Sequence, residues 1–250
     1  MSWVAQPITL YPEMFPGPLG VSLAGRALER GTWTCAPLPL RDFATGRHRS
    51  VDGTPAGGGP GMVLRVDVMA RAVDAARARL PGAPVLAPTP RGPRIGQARI
   101  RAIAEGPGVT LLCGRFEGMD ERIFTGRDVE PVALADIVLS GGEMAALAIL
   151  DACIRLLPGV MGAPSSGELE SFETGLLEHP HYTRPARWEG QDIPEVLRSG
   201  DHARIEAWRL EQAEMATRHW RPDLWERYAS RHPPSATQPK RAKTREGETR

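Results

Sequence analysis

Three glycine-rich stretches carry the residues best suited to chemistry. They are Gly57-Gly58-Gly59-Pro60-Gly61, the run from Cys113 to Glu121 (CGRFEGMDE), and Leu139-Ser140-Gly141-Gly142-Glu143. The last two follow strand-like apolar runs, the place where open parallel sheets bind ligands. A phosphate-binding GxxxxGK[ST] loop is excluded, because the first lysine of the chain is Lys240. Neither stretch fits GxGxxG followed by a helix, so a dinucleotide site is not expected. Such glycines either make tight turns and nothing more, or let backbone N–H and C=O groups meet a flat ligand such as adenine. Spacing alone leaves both readings open.

The acids around these loops have two readings as well. Glu117, Asp120 and Glu121 either cap the next helix or hold a cation. Asp136 lies in an apolar run, where an acid needs a fixed partner. Arg155 stands among Ile154, Leu156 and Leu157; it either snorkels to solvent or is held for a purpose. His179-Pro180-His181 has no Cys or third His close in sequence, so no metal is expected there.

Short apolar runs alternating with helical patterns must position these loops. Strands are expected at Gln6–Leu10, Thr32–Leu38, Val85–Ala87, Val109–Cys113 and Ile137–Leu139. Helices are expected over Leu19–Arg30, from an Asp67 cap to Leu80, and over Ile95–Glu105 and Gly142–Leu157. That alternation indicates an α/β fold with a parallel sheet covered on both faces. Arg41–Gly61 has no periodicity and reads as a long functional loop. The layout is an α/β domain over 1–161, a small polar linker over 162–172, a helical domain over 173–230, and a basic tail over 231–250. Within the helical domain, Asp201–Trp220 and Pro222–Tyr228 carry the helix patterns. The tail lacks the apolar content of a packed core and is expected to be disordered.

The 250 residues include 27 glycines and 24 prolines, with a formal net charge of +1. The charge is unevenly spread, at +7 over residues 1–101, −10 over 102–230 and +4 over the last twenty. A basic first half is either a solvated surface of no special role or the footprint of a polyanion such as nucleic acid, and charge alone leaves both readings open. The longest apolar run, Met144–Leu150, is far shorter than the roughly 20 residues of a membrane span. No signal peptide and no membrane segment are expected. Cys35, Cys113 and Cys153 are odd in number and form no CxxC pair, which suits a reducing cytoplasm.

Several motifs occur in a fixed order. They are Leu10–Phe15 (LYPEMF), Arg41-Asp42-Phe43, Arg47-His48-Arg49, Gly57–Met62, Leu112–Arg122, Asp136–Glu143, Pro158-Gly159-Val160 and Ser171–Arg184 (SFETGLLEHPHYTR). Together they closely resemble the bacterial tRNA (guanine-N1)-methyltransferases of the TrmD type, from about Ile8 to Leu224. The resemblance implies a trefoil-knotted α/β domain, a helical C-terminal domain and a homodimer whose active site is shared between subunits. It implies S-adenosylmethionine held by Thr89, Pro90 and Gly92, by Gly114, Phe116 and Glu117, and by Leu134, Ala135, Asp136, Ile137, Val138, Leu139, Ser140, Gly141 and Gly142. It implies a tRNA substrate methylated on the guanosine just 3′ of the anticodon. It places the general base at Glu170 and an oxyanion-stabilising arginine at Arg155. Magnesium is implied as a further cofactor, with Glu117 its contact. Arg47, Arg49 and Arg115 become RNA contacts.

The chain departs from that pattern at four positions. Glu170 stands where the family typically has Asp, Phe116 and Ile137 where it has Tyr, and Thr89 where it has Ser. Two other readings remain, a non-catalytic RNA-binding relative and a knotted methyltransferase acting on another RNA.

Overall fold

The computed structural model describes residues 2–161 and 170–232. The chain divides into two compact units, Met1–Pro164 and Ser165–Arg250. The linker expectation over 162–169 and the tail from 233 onward lie outside the described residues.

The first unit opens with β1 (Trp3–Thr9) and runs through α1 (Ser22–Glu29), β2 (Trp33–Cys35) and β3 (Leu38–Pro39). A short antiparallel pair, β4 (Asp52–Gly53) and β5 (Val63–Leu64), brackets the Gly57–Gly61 loop. Then come α2 (Val66–Arg79), β6 (Val85–Pro88), α3 (Gln97–Ala104), β7 (Gly108–Leu112), α4 (Arg122–Gly126), β8 (Glu130–Val132) and α5 (Glu143–Ile154). The main sheet has the order β2-β1-β7-β6-β8, with β3 also paired to β1, and all its pairs are parallel.

Alternation along the strands divides the core in two. Trp3 and Ala5 of β1, Leu86 of β6, and Val109 and Leu111 of β7 pack with α1, α3 and α5. Ile8, Val85, Ala87 and Leu112 point to the other face, where Val68, Met69, Ala72, Val73 and Ala76 of α2 cover them. Each large aliphatic side chain so buried contributes about 1.5–3 kcal/mol. A sheet apolar on both faces is the reason its strands read as continuous apolar runs rather than alternating ones.

Three expectations need correction. The segment Thr32–Leu38 is two strands, because Pro37 has no N–H to give the ladder. Ile137–Leu139 is not a strand: Ile137, Val138 and Leu139 are 53%, 85% and 40% exposed. The strand is β8, hidden in the sequence by Pro131, which is tolerated because β8 forms an edge. Asp67 does not cap α2. It sits in the first turn and accepts from Arg65 and Arg71, and the Arg65 guanidinium holds its carboxyl below the usual range.

The second unit holds a hairpin of β9 (Arg187–Trp188) and β10 (Gln191–Asp192), then α6 (Glu195–Arg198), α7 (His202–Trp220) and α8 (Pro222–Arg231). The Asp201 carboxylate accepts from the Arg204 N–H and caps α7. Pro222 starts α8, where its missing N–H costs nothing. The buried Thr217 hydroxyl accepts from the Leu177 N–H at 2.8 Å and donates to the Ala213 carbonyl at 2.7 Å, tying the 170–178 segment to α7. Among the described residues, no helix is long and apolar enough to cross a membrane.

Candidate active site

Three loops leave the C-terminal ends of β6, β7 and β8 and close on one another. Thr89 N–H donates to the Val132 carbonyl, Ala133 N–H to that of Pro93 and Ile95 N–H to that of Ala133, at 2.8–2.9 Å. The loop after β6 is thereby wrapped against the chain leaving β8. Gly142 N–H donates to the Gly114 carbonyl at 2.8 Å, which locks the third loop to the second. The Gly57–Gly61 stretch abuts the second loop, with Glu117 N–H donating to the Met62 carbonyl and Leu64 N–H to that of Gly118.

These loops enclose a cleft of about 250 Å³. It is lined by Thr89, Pro90, Gly114, Phe116 and Glu117, and by Leu134, Ala135 and Ile137 through Gly142. So the structure brings together all but two of the residues proposed for the cofactor. Gly92 backs onto the neighbouring strand instead: a Cβ there would stand 2.5 Å from Val132 N and 2.6 Å from the Pro131 carbonyl carbon. Asp136 turns away to pair with Arg94 of the first loop, which keeps its carboxyl below the usual range. It is exposed, not the buried acid its apolar neighbours suggest. Phe116 holds a left-handed backbone (φ 61°) and is 49% exposed at the cleft. A non-glycine residue in that conformation is strained, and such strain concentrates at functional sites.

The floor of the cleft carries a pair that sequence reading missed. Glu143, in the first turn of α5, is fully buried. Its Oε1 accepts from the Thr9 hydroxyl at 2.7 Å, and its Oε2 lies 2.9 Å from Arg115 Nε, an ion pair without hydrogen-bond alignment. Arg115 Nη1 donates to the Ser140 carbonyl at 3.3 Å, and the guanidinium lies over the Tyr11 ring, 4.5 Å from its centroid. Arg115 is therefore drawn inward, its side chain only 18% exposed. Arg91, Met119, Phe124 and Ala145 also line the cleft unforeseen. The only signal for them was adjacency to the glycines.

The remaining candidates lie elsewhere. Arg155 is the C-terminal cap of α5, half-buried, with Nη2 3.2 Å from Met161 Sδ. Glu170, the first described residue of the second unit, is half-buried, and its carbonyl accepts from the Glu173 N–H. Asp120, not Glu121, caps α4, accepting the Arg122 N–H at 3.0 Å. Glu121 is engaged by Arg91 at 2.5 Å. Among the described residues no cluster of three His, Cys, Asp or Glu side chains forms.

Residues 5–227 match the family described as tRNA (Guanine-1)-methyltransferase TrmD. The chain belongs to this family. It is 71% identical over 228 residues to the tRNA (guanine-N(1)-)-methyltransferase of Sphingopyxis alaskensis, covering 91% of this chain and 93% of that protein. The enzyme of that name from Rhizorhabdus wittichii is 70% identical with the same coverage, and the one from Brucella ovis 61% over 224 residues, 90% of this chain and 92% of that protein. The fold is thus the family's knotted methyltransferase fold, and the activity is S-adenosylmethionine-dependent methylation of guanine N1 in tRNA. A knot is an exception to ordinary topology rules; here the 89–95 segment is hydrogen-bonded to Val132 and Ala133.

Proposed function

We propose that the cleft binds S-adenosylmethionine and that a second copy of the chain completes it for methylation of the guanosine just 3′ of the anticodon. The carrying observation is the position of Arg155. It lies ten residues along α5 from Ala145, the last cleft-lining residue of that helix, about 15 Å at 1.5 Å per helical residue. An arginine side chain cannot close that gap, so an Arg155 that serves the reaction serves another chain's cleft. The exposure of Ile137, Val138 and Leu139 in the cleft wall and of Met144 next to it supports a partner surface there.

The residues present fit the cofactor: glycine backbone, an apolar wall of Leu134, Ala135 and Ile137 to Leu139, and a pocket at the sheet's C-terminal edge. The bound cofactor supplies a methyl group on a sulfonium with a good leaving group. The guanine N1 carries a proton, and it attacks well only when that proton is removed. The Glu170 carboxylate takes it as general base. Negative charge then gathers on guanine O6, where the Arg155 guanidinium stabilises it. Positioning supplies much of the remaining acceleration.

Magnesium is a weaker fit. Among the described residues the Glu117 carboxylate belongs to no group of three His, Cys, Asp or Glu side chains, and Glu121 is engaged by Arg91. That donor set does not make a built magnesium site, and no step is drawn through the metal.

For tRNA, the basic 1–101 region and the exposed Trp188, Trp220 and Tyr182 of the second unit supply charge and stacking faces. We place the reaction in the cytoplasm; the three unpaired thiols support this. The test is single-turnover transfer followed by mass spectrometry of tRNA nucleosides. Glu170→Gln is expected to bind tRNA and cofactor normally and to lose most 1-methylguanosine formation, since an amide cannot take the proton. Near-normal transfer in that variant would move the base elsewhere.

A further inference from the structure

The Arg115–Glu143 pair is a costly feature that the reaction scheme above does not use. Glu143 is fully buried, and burying an ionised carboxylate is unfavourable unless it is paired and hydrogen-bonded. Replacing such a pair by neutral groups of similar size is often neutral or stabilising, so stability alone does not account for it. The geometry offers another account. Arg115 lines the cleft, contacts Glu143 with Nε, and points Nη1 at the carbonyl of Ser140, itself a lining residue. The Tyr11 ring backs the guanidinium, and Tyr11 N–H donates to the Thr9 hydroxyl, which donates in turn to Glu143. One chain of contacts therefore runs from β1 through Glu143 and Arg115 to the third loop. Gly141 reflects the same arrangement. A Cβ there would stand 2.6 Å from both Arg115 Cζ and Glu143 Oε2, so the glycine is needed to let the loop lie against the pair.

We propose that Arg115 and Glu143 are positioning residues for the cofactor: the buried carboxylate fixes the guanidinium, and the guanidinium fixes the Ser140–Gly141 backbone at the height where S-adenosylmethionine meets it. The proposal rests on the reading of the cleft as the cofactor site. It makes Arg115 unavailable to RNA and makes the charge on the guanidinium, not its bulk, the functional property.

Calorimetric titration of S-adenosylmethionine into four full-length proteins tests this. Glu143→Gln alone leaves the Arg115 cation without its counter-charge and is expected to lower the unfolding temperature and weaken binding. Arg115→Gln/Glu143→Gln restores a neutral, mutually bonded pair that still accepts from Thr9, so the unfolding temperature is expected to recover towards wild type. Cofactor Kd in the double variant is expected to stay about tenfold or more above wild type, the loss of one charge-assisted hydrogen bond, while tRNA affinity is unchanged. Arg115→Lys, which keeps the charge without the fork, should fall between. Recovery of stability together with wild-type Kd in the double variant would overturn the proposal and leave the pair a packing device. A control, Leu139→Glu, places a charge in the cleft itself. If it weakens binding while the double variant does not, only the role of the pair fails; if neither weakens binding, the cleft reading fails and the proposal with it.

Discussion

At the residue scale the proposed chemistry turns on one acid, and the thiols bear on stability. Glu170 is one methylene longer than the Asp typical of the position. The two carboxylates differ little in unperturbed acidity, at roughly 3.9 and 4.3, so reach separates them, and a misplacement of about 1 Å can cost on the order of 10²-fold. Glu170→Asp is therefore expected to slow single-turnover transfer, though the change restores the family's usual residue; a faster enzyme would show that the surroundings are not fitted to Glu. The thiols make a prediction about pH. Burial pushes the Cys35 thiol up to about 11 and that of Cys153 to about 12. Buried Cys113 is raised as well. Unfolded thiols ionise near pH ~8.5, whereas these remain protonated when folded. Their contribution is fully present below that pH and is lost as pH rises towards the folded values. Denaturation midpoints should fall above about pH 9, and replacing Cys153 with Ala should flatten that fall. Alkylation of the folded protein at neutral pH should be slow, and rapid labelling of Cys153 would contradict its burial.

At the element scale the loops matter more than the helices. Gly92 does not line the cleft, yet it allows the first loop to lie on the Pro131–Val132 backbone. Gly92→Ala is expected to cost about 1–3 kcal/mol, as overpacking does, and to raise the cofactor Kd by forcing the loops apart; no change in either would show that the contact is loose. The Arg94–Asp136 pair clasps the first loop to the third, but its side chains are 65% and 76% exposed. Such a pair is worth at most about 1 kcal/mol. Asp136→Asn should leave the unfolding temperature within about 4 °C while quickening amide exchange in residues 89–95 and 134–141; unchanged exchange would mean the clasp is cosmetic.

The same scale shows what the sequence made legible. β1, β6 and β7 and helices α2, α5 and α7 follow from apolar runs and helical spacing, because packing on both sheet faces dictates those patterns. The glycine loops at strand ends pointed to the cleft for the same reason. β8 was hidden because Pro131 breaks a strand reading that an edge position tolerates. Ile137–Leu139 read as a strand because an apolar run looks alike whether it is covered by a sheet or left for a ligand and a partner. The Arg115–Glu143 pairing joins a residue of the second loop to one in the first turn of α5, and no spacing rule brings them together. Nor does any local pattern encode a knot, which is a property of how loops pass one another.

At the scale of the whole molecule the central claim is that one active site needs two chains: a cleft from one, Arg155 and Glu170 from the other. Isologous dimers present the same surfaces twice, so two sites form per dimer. Two inactive variants with separate defects should then complement. Glu170→Ala keeps the cleft and removes the base; Gly141→Val keeps Glu170 and disrupts the cleft, because its Cβ would strike the Arg115–Glu143 pair. The direct measurement is 1-methylguanosine formed in single turnover by the two variants mixed under conditions of confirmed subunit exchange. Random mixing makes half the dimers mixed, each with one intact site, so recovery to about a quarter of wild-type sites is expected. Activity no greater than that of the separate variants would contradict the shared site and place cleft and base on a single chain.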